Sequence, residues 1–220
     1  ELAAGIGAAT RAGIASVPRG GGMSYTGGYL YEGGDFILID TGALDSIVDI
    51  NATDMTVTVE AGGTWDQLHR GLQPLGLRAR VWGTLSGMRA TIGGGMSQNG
   101  LFWGARSGSA VSGAIHMDVV LAAGTLISTG SDFFRPYGPD VTGLFAADCG
   151  AFGVKARITL QLVREATALA YGSFSFDTAA ALLTAMSAIA REELAAESFA
   201  FDPYLQSQRM KRDSLAKDAK

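Results

Sequence analysis

Residues 16–24 read Ser16-Val17-Pro18-Arg19-Gly20-Gly21-Gly22-Met23-Ser24. A short apolar run, Ile14 to Val17, feeds three glycines, which place no side chains over the backbone. Such a stretch offers several N–H groups to one anion, phosphate above all. Arg19 adds a positive charge and Ser24 a hydroxyl donor. A solvated surface turn would carry the same letters, so the triplet alone does not decide. The commoner phosphate signatures do not apply. No GxxxxGK[ST] occurs, and the spacing does not fit a GxGxxG dinucleotide fingerprint with its acidic residue about 20 positions on.

Two further clusters lie downstream. The second runs Gly83-Thr84-Leu85-Ser86, then Thr91-Ile92-Gly93-Gly94-Gly95-Met96-Ser97-Gln98-Asn99-Gly100. Glycines again alternate with small hydroxyl and amide residues, a chemistry suited to a long polar ligand lying along the backbone. The whole stretch from Gly83 to Gly113 lacks periodicity and reads as a long loop, and loops of that length in a domain are usually functional or disordered. The third cluster is Tyr137-Gly138-Pro139-Asp140 followed by Leu144-Phe145-Ala146-Ala147-Asp148-Cys149-Gly150-Ala151-Phe152-Gly153-Val154.

Between the clusters the pattern mixes helices and strands. Residues 2–12 favour helix and stop at Gly13. Phe36 to Asp40 reads as a strand. Ile47 to Ile50 and Met55 to Glu60 form a hairpin about Asn51-Ala52-Thr53-Asp54, the second arm alternating as a half-buried strand does. Thr64 and Gln67 make a capping box for a helix through Gln73. Ile115 to Leu121 and Thr125 to Ser128 form a second hairpin, and Asp140 to Ala147 a short helix. Val154 to Val163 alternates as a strand, with Ala156, Ile158, Leu160 and Leu162 on one side and Lys155, Arg157, Thr159 and Gln161 on the other. Past Arg164 the pattern changes: Leu169 to Phe176 reads as a new strand and Thr178 to Leu194 as an amphipathic helix capped by Asp177. Two domains are expected, residues 1–164 and the incomplete beginning of another over 165–220. Both ends read as cut, with an N-terminal strand missing.

Composition narrows the function classes. Glycine makes up 31 of 220 residues, about twice the roughly 7% usual. Net charge is -4, with no basic stripe for a nucleic-acid partner. The longest mildly apolar run, Ala110 to Ser128, is interrupted by His116 and Asp118, so no transmembrane segment is expected. One cysteine and no secretory signal suggest a reducing compartment, cytoplasmic or peripheral to a membrane.

In this order and at these separations, the clusters resemble the vanillyl-alcohol oxidase and p-cresol methylhydroxylase superfamily of FAD-linked oxidases, nearest its D-lactate dehydrogenase and glycolate oxidase branch. The likeness runs through Pro18-Arg19-Gly20-Gly21-Gly22-x-Ser24 with Gly27-Gly28, and through Val57-Thr58-Val59-Glu60-Ala61-Gly62 leading to Trp65 and Leu68. It continues in Ala90-Thr91-Ile92-Gly93-Gly94, Gly138-Pro139-Asp140, Leu144-Phe145 and Gly150-x-x-Gly153-Val154. It covers residues 1 to 163. The resemblance implies an α+β fold: a two-lobed PCMH-type FAD-binding domain, then the start of an α+β substrate-binding cap.

It also implies the cofactor contacts. These are Arg19, Gly20, Gly21, Gly22, Met23 and Ser24; Gly83, Thr84 and Ser86; Thr91, Gly93, Gly94 and Ser97; and Gly153 and Val154, the last by its backbone. Some relatives carry a flavin-linked histidine in the first loop. Met23 stands here, so noncovalent FAD is expected. The late motif often reads Gly-Ser-Glu-Gly where this chain has Ala147-Asp148-Cys149-Gly150, which weakens carry-over at Asp148 and Cys149. The implied activity is FAD-dependent oxidation of a small alcohol, a 2-hydroxy acid of the D-lactate or glycolate type, with oxygen, a quinone or a cytochrome as electron acceptor. The alternatives are an oxidase of phenolic alcohols, a reductase of the enolpyruvyl-sugar type, or an electron-transfer module without an organic substrate.

No catalytic residue is named. His69 reads as a solvated helix position and His116 as a structural residue, with carboxylates clustered around neither. No metal site is expected in these residues. Cys149 reads as a buried, inert thiol. Arg106, Arg135 and Tyr137 read as loop braces or surface groups.

Overall fold

The first helix, α1 (Leu2–Arg11), ends where the chain reverses at Gly13, whose φ of +73° suits glycine. The computed structural model describes residues 1–81, 86–101, 107–131, 134 and 138–208. Strand β1 (Ala15–Arg19) pairs in parallel with β2 (Phe36–Asp40), from Ala15 opposite Phe36 to Arg19 opposite Asp40. A parallel pair needs a long crossover. Residues 20–35, which hold the first glycine cluster, supply it. This two-stranded sheet is one lobe.

The second lobe is a six-stranded sheet. Strands β3 (Ile47–Asn51) and β4 (Thr56–Glu60) form the expected hairpin. Helix α2 (Trp65–Leu72) follows, with its capping box in place. The Gln67 N–H donates to Thr64 Oγ1 at 3.1 Å, and the Thr64 N–H donates to Gln67 Oε1 at 2.8 Å. Then come β5 (Leu77–Ala79), α3 (Ile92–Gln98), β6 (Ala114–Val120), β7 (Leu126–Ser128), α4 (Val141–Leu144) and β8 (Val154–Arg164). The sheet order is β3-β4-β8-β6-β7, with β5 pairing the far end of β8. Strand β8 is its spine, antiparallel to β4, β5 and β6.

The main core lies where Val57, Val59, Met117, Val119, Ile158 and Leu160 meet Trp65, Leu68 and Leu72 of α2 and Ile92 and Met96 of α3. Leu72 and Met96 are fully buried, and burying a side chain of this size is worth about 1.5–3 kcal/mol. A smaller core joins the lobes: Ile6 of α1 packs with Val120 and Val154, and Ile39 of β2 closes against them. The α+β class and the two lobes are as the sequence led one to expect.

Three local expectations do not hold. Residues 83–113 are not one loop, since α3 lies within them. Its three glycines argue against helix by propensity, but tertiary packing demands two of them, as described below. On the polar side of β8, Lys155 and Thr159 are buried, at 4% and 1% exposed. Thr159 meets Thr58 across the strands, Oγ1 to Oγ1 at 2.9 Å. Residues 169–176 carry no strand: a strand is a pairing relation, and no described residue pairs with them.

The third concerns the last helix. By contact density the chain divides into Glu1–Ser175 and Phe176–Lys220. The second unit holds α5 (Ala179–Arg191), capped not by Asp177 but by Thr178, whose Oγ1 accepts the Ala181 N–H at 3.1 Å. No helix among the described residues is long and apolar enough to cross a membrane.

Candidate functional site

The three glycine-bearing segments converge. The first meets the second at Gly20 and Gly21. A Cβ on Gly20 would collide with Thr91 Oγ1, and one on Gly21 with the Arg89 carbonyl. The first meets the third at Pro18, since a Cβ on Gly150 would stand 2.7 Å from Pro18 Cγ. The second meets the third through backbone hydrogen bonds. Ala147 N–H donates to Met96 O and Cys149 N–H to Ser97 O, each at 2.9 Å. Glycine is required at these crossings because a Cβ would meet the Thr91 side chain, the Arg89 carbonyl or the Pro18 ring.

The amides of the first segment are available. Among the described residues, the backbone N–H groups of Gly20, Gly21, Gly22, Met23 and Ser24 meet no protein acceptor. Arg19 stands at their head, its guanidinium packed across Gly22 and its Nη1 3.4 Å from Asp40 Oδ2. That pair is partly exposed and contributes little to stability, which leaves the arginine able to turn to a ligand. Ser24 Oγ and Thr26 Oγ1 lie 2.7 Å apart, and Thr26 Oγ1 donates to Gln98 Oε1 at 3.4 Å. Tyr29 Oη donates to Gly22 O at 3.3 Å. Five unpartnered amides, a cation and a hydroxyl form a donor-rich strip, and that composition fits a diphosphate.

The second segment is different. Ile92 N–H donates to Gly63 O and Gly93 N–H to Ala61 O, each at 2.8 Å; Gly95 N–H donates to Thr91 O at 2.9 Å. Gly94 N–H donates to the capping Thr91 Oγ1 at 3.2 Å. A Cβ on Gly93 would stand 2.7 Å from Ala61 Cβ, and one on Gly95 2.9 Å from Trp65 Cζ2. Gly94 alone of the triplet meets nothing but Thr91 Oγ1, at 3.1 Å. Ser97 offers its carbonyl to the third segment. Ser86 closes the turn before Ala90, its carbonyl accepting the N–H groups of Arg89 and Ala90 at 2.8 Å. Gly83 and Thr84 lie outside the described residues, as do Arg106, Arg135 and Tyr137.

In the third segment, Gly153 and Val154 are buried at the start of β8, Val154 packing with Ile6 and Val120. Cys149 is exposed, contrary to the expectation of a buried thiol. Lys155 Nζ donates to Asp148 Oδ1 at 2.6 Å, with side chains only 2% and 1% exposed. Burial pushes the Lys155 ammonium below the ordinary lysine value, and the Asp148 carboxylate opposes that shift. His116 is not remote from carboxylates, since its Nε2 lies 3.2 Å from Asp118 Oδ1, which also accepts from Ser128 Oγ at 2.6 Å. His69 is half-buried rather than solvated.

Sequence reasoning missed Arg89, Gln98 and the Asp148–Lys155 pair. Arg89 acts by its carbonyl, which no side-chain pattern reveals. Lys155 sits on the polar side of β8, and alternation alone does not show that this side is covered.

Residues 1–130 match the family model described as the FAD binding domain. Among curated proteins, the chain is 31% identical over 169 residues to a Saccharomyces cerevisiae protein named D-lactate dehydrogenase [cytochrome] 1, mitochondrial, covering 74% of this chain and 28% of that protein. It is 31% identical over 193 residues to a Danio rerio protein named probable D-lactate dehydrogenase, mitochondrial, covering 80% of this chain and 37% of that one. The chain therefore spans about a third of the length of these relatives.

Proposed function

The chain belongs to the FAD binding domain family, and from that premise we propose that it holds FAD noncovalently for oxidation of a small 2-hydroxy acid such as D-lactate or glycolate. The observation that carries the binding reading is the strip of unpartnered amides from Gly20 to Ser24, set where three segments meet. Arg19, Gly20, Gly21, Gly22, Met23 and Ser24 would bind the diphosphate. Thr91, Gly93, Gly94 and Ser97 would shape the opposite wall, Gly94 presenting the open surface. Ser86, with Gly83 and Thr84, would border it, and Gly153 and Val154 would lie toward the flavin end. When bound, FAD supplies the two-electron acceptor for a hydride; the protein binds, orients and tunes it.

Noncovalent attachment is supported by Met23, which is 41% exposed at the loop and cannot form a histidyl link. The 2-hydroxy-acid substrate is supported by the names of the two relatives. The yeast name includes a cytochrome, which makes a cytochrome the first electron acceptor to try, before a quinone or oxygen. Residues 1–164 would form the cofactor domain and residues 165–220 the beginning of a substrate-binding cap. The single cysteine, exposed at Cys149, supports a reducing compartment such as the cytoplasm, although the relatives are named mitochondrial. The rival, an electron-transfer module, is favoured by one observation: none of the described residues near the strip is placed as a catalytic acid or base.

Purified protein is titrated with FAD, then reduced anaerobically with D-lactate or glycolate. Saturable binding, release of the yellow colour on acid precipitation and bleaching by the 2-hydroxy acid are expected. Bleaching only by a partner protein would favour the module, and colour held in the pellet would refute noncovalent attachment.

A further inference from the structure

We infer that the buried Asp148–Lys155 pair is a cofactor-positioning device, fixing the turn that brings the third glycine-bearing segment against the other two; the inference rests on the FAD-binding reading of those segments. Three donors converge on the one carboxylate. Lys155 Nζ reaches Oδ1 at 2.6 Å, Gly150 N–H reaches Oδ1 at 2.9 Å, and Phe152 N–H reaches Oδ2 at 3.3 Å. The residues flanking Asp148 are held in unusual backbone conformations, Ala147 at φ +57° and Cys149 at φ +53°. Non-glycine residues adopt this left-handed region at a cost, so surrounding contacts must over-determine it.

Those contacts are the ones that build the site. The N–H groups of Ala147 and Cys149 bind the carbonyls of Met96 and Ser97 on α3, and Gly150 lies against Pro18, just before the amide strip. A displacement of this turn therefore moves α3 and the first loop relative to each other.

The pair is suited to this because it ties the turn to the sheet. Asp148 alone would be a buried carboxylate with two amide partners and no counter-charge. Such a group draws in water or a proton, and either event loosens the turn. Lys155 supplies the charge from β8, whose backbone is fixed between β4 and β6. The lysine stem thus anchors a strained turn to the central strand of the lobe. Neither residue need touch the cofactor.

The test compares wild type with Lys155→Met, Asp148→Asn and the double variant Asp148→Ser with Lys155→Met. Three measurements are made on each: FAD affinity by titration of the apoprotein, the visible circular dichroism of bound flavin, and thermal unfolding without FAD. Lys155→Met is expected to weaken FAD binding by roughly tenfold or more and to change the flavin dichroism. Asp148→Asn, which keeps an oxygen for the amides, should weaken it by a smaller factor. The double variant, with no uncompensated charge, should recover most of the affinity lost in Lys155→Met. Lower melting temperatures with unchanged affinity and dichroism would assign the pair a purely structural role and overturn the inference, leaving the FAD-binding reading intact. If Lys155→Met does not fold, Asp148→Asn decides alone, and wild-type affinity in that variant overturns it. Failure of the wild type to bind FAD would instead remove the reading on which the inference rests.

Discussion

Gly20-Gly21-Gly22 and Gly93-Gly94-Gly95 are the same three letters in sequence and neighbours in space, but they are glycine for different reasons. In the first triplet the amides have no acceptor among the described residues, so the bare backbone is there to meet a ligand. In the second the amides are bonded to Ala61, Thr91 and Thr91's hydroxyl, and two of the three glycines exist because Ala61 and Trp65 occupy the space of a Cβ. One triplet is a binding surface. The other is a close-packed helix that supports it. A glycine count cannot distinguish them; the destination of each N–H can.

Substitutions should break this contrast in graded steps. Gly21→Ala places a Cβ on the Arg89 carbonyl, where no side chain is free to yield. The amide strip must move, and FAD titration should show affinity lowered by roughly 100-fold, since several hydrogen bonds to a charged group are lost together. Gly93→Ala pushes into Ala61 instead. Overpacking of this kind costs about 1–3 kcal/mol, so the melting temperature should drop while FAD affinity of the folded protein changes by less than about threefold. If both variants lost affinity equally without loss of stability, the contrast would be wrong.

Arg19→Met removes the cation at the head of the strip. The expected result is FAD binding weaker by roughly tenfold and a shallower dependence on salt, read from titrations at two ionic strengths. Smallest is Thr91→Ala, which deletes the cap accepting the Gly94 N–H. A cap of this type is worth about 1 kcal/mol. The loss should appear in apoprotein stability, with a minor change in affinity.

What could be read in the sequence was what local chemistry determines. The hairpin at Asn51 to Asp54, the Thr64–Gln67 box and the Phe36–Asp40 strand need only neighbouring residues to be predicted, and all three are present. Helix α3 was not legible, because its glycines lower helix propensity and its stability comes from packing on Ala61 and Trp65. The burial of Lys155 was not legible for a related reason: alternation gives the face of a strand, but not whether a turn from elsewhere covers that face. Asp177 and Thr178 are both good caps by type, and only backbone geometry selects the second. That all three segments would contact one cofactor was implied by the resemblance to the FAD-linked oxidases. The contacts that bring them together, through the Arg89 carbonyl and the Asp148 turn, depend on tertiary distance and carry no sequence signature.

Strand β8 enters last, at residues 154–164, yet it lies between partners made up to about a hundred positions earlier. During synthesis, β4, β5 and β6 must wait with open edges until the ribosome has released the strand that joins them. The stretch recognised by the family model stops at residue 130, before that strand begins. A truncation at residue 130 would therefore keep the first two glycine clusters but lose the third, together with the central strand that assembles them, and give a sticky intermediate instead of a minimal flavoprotein.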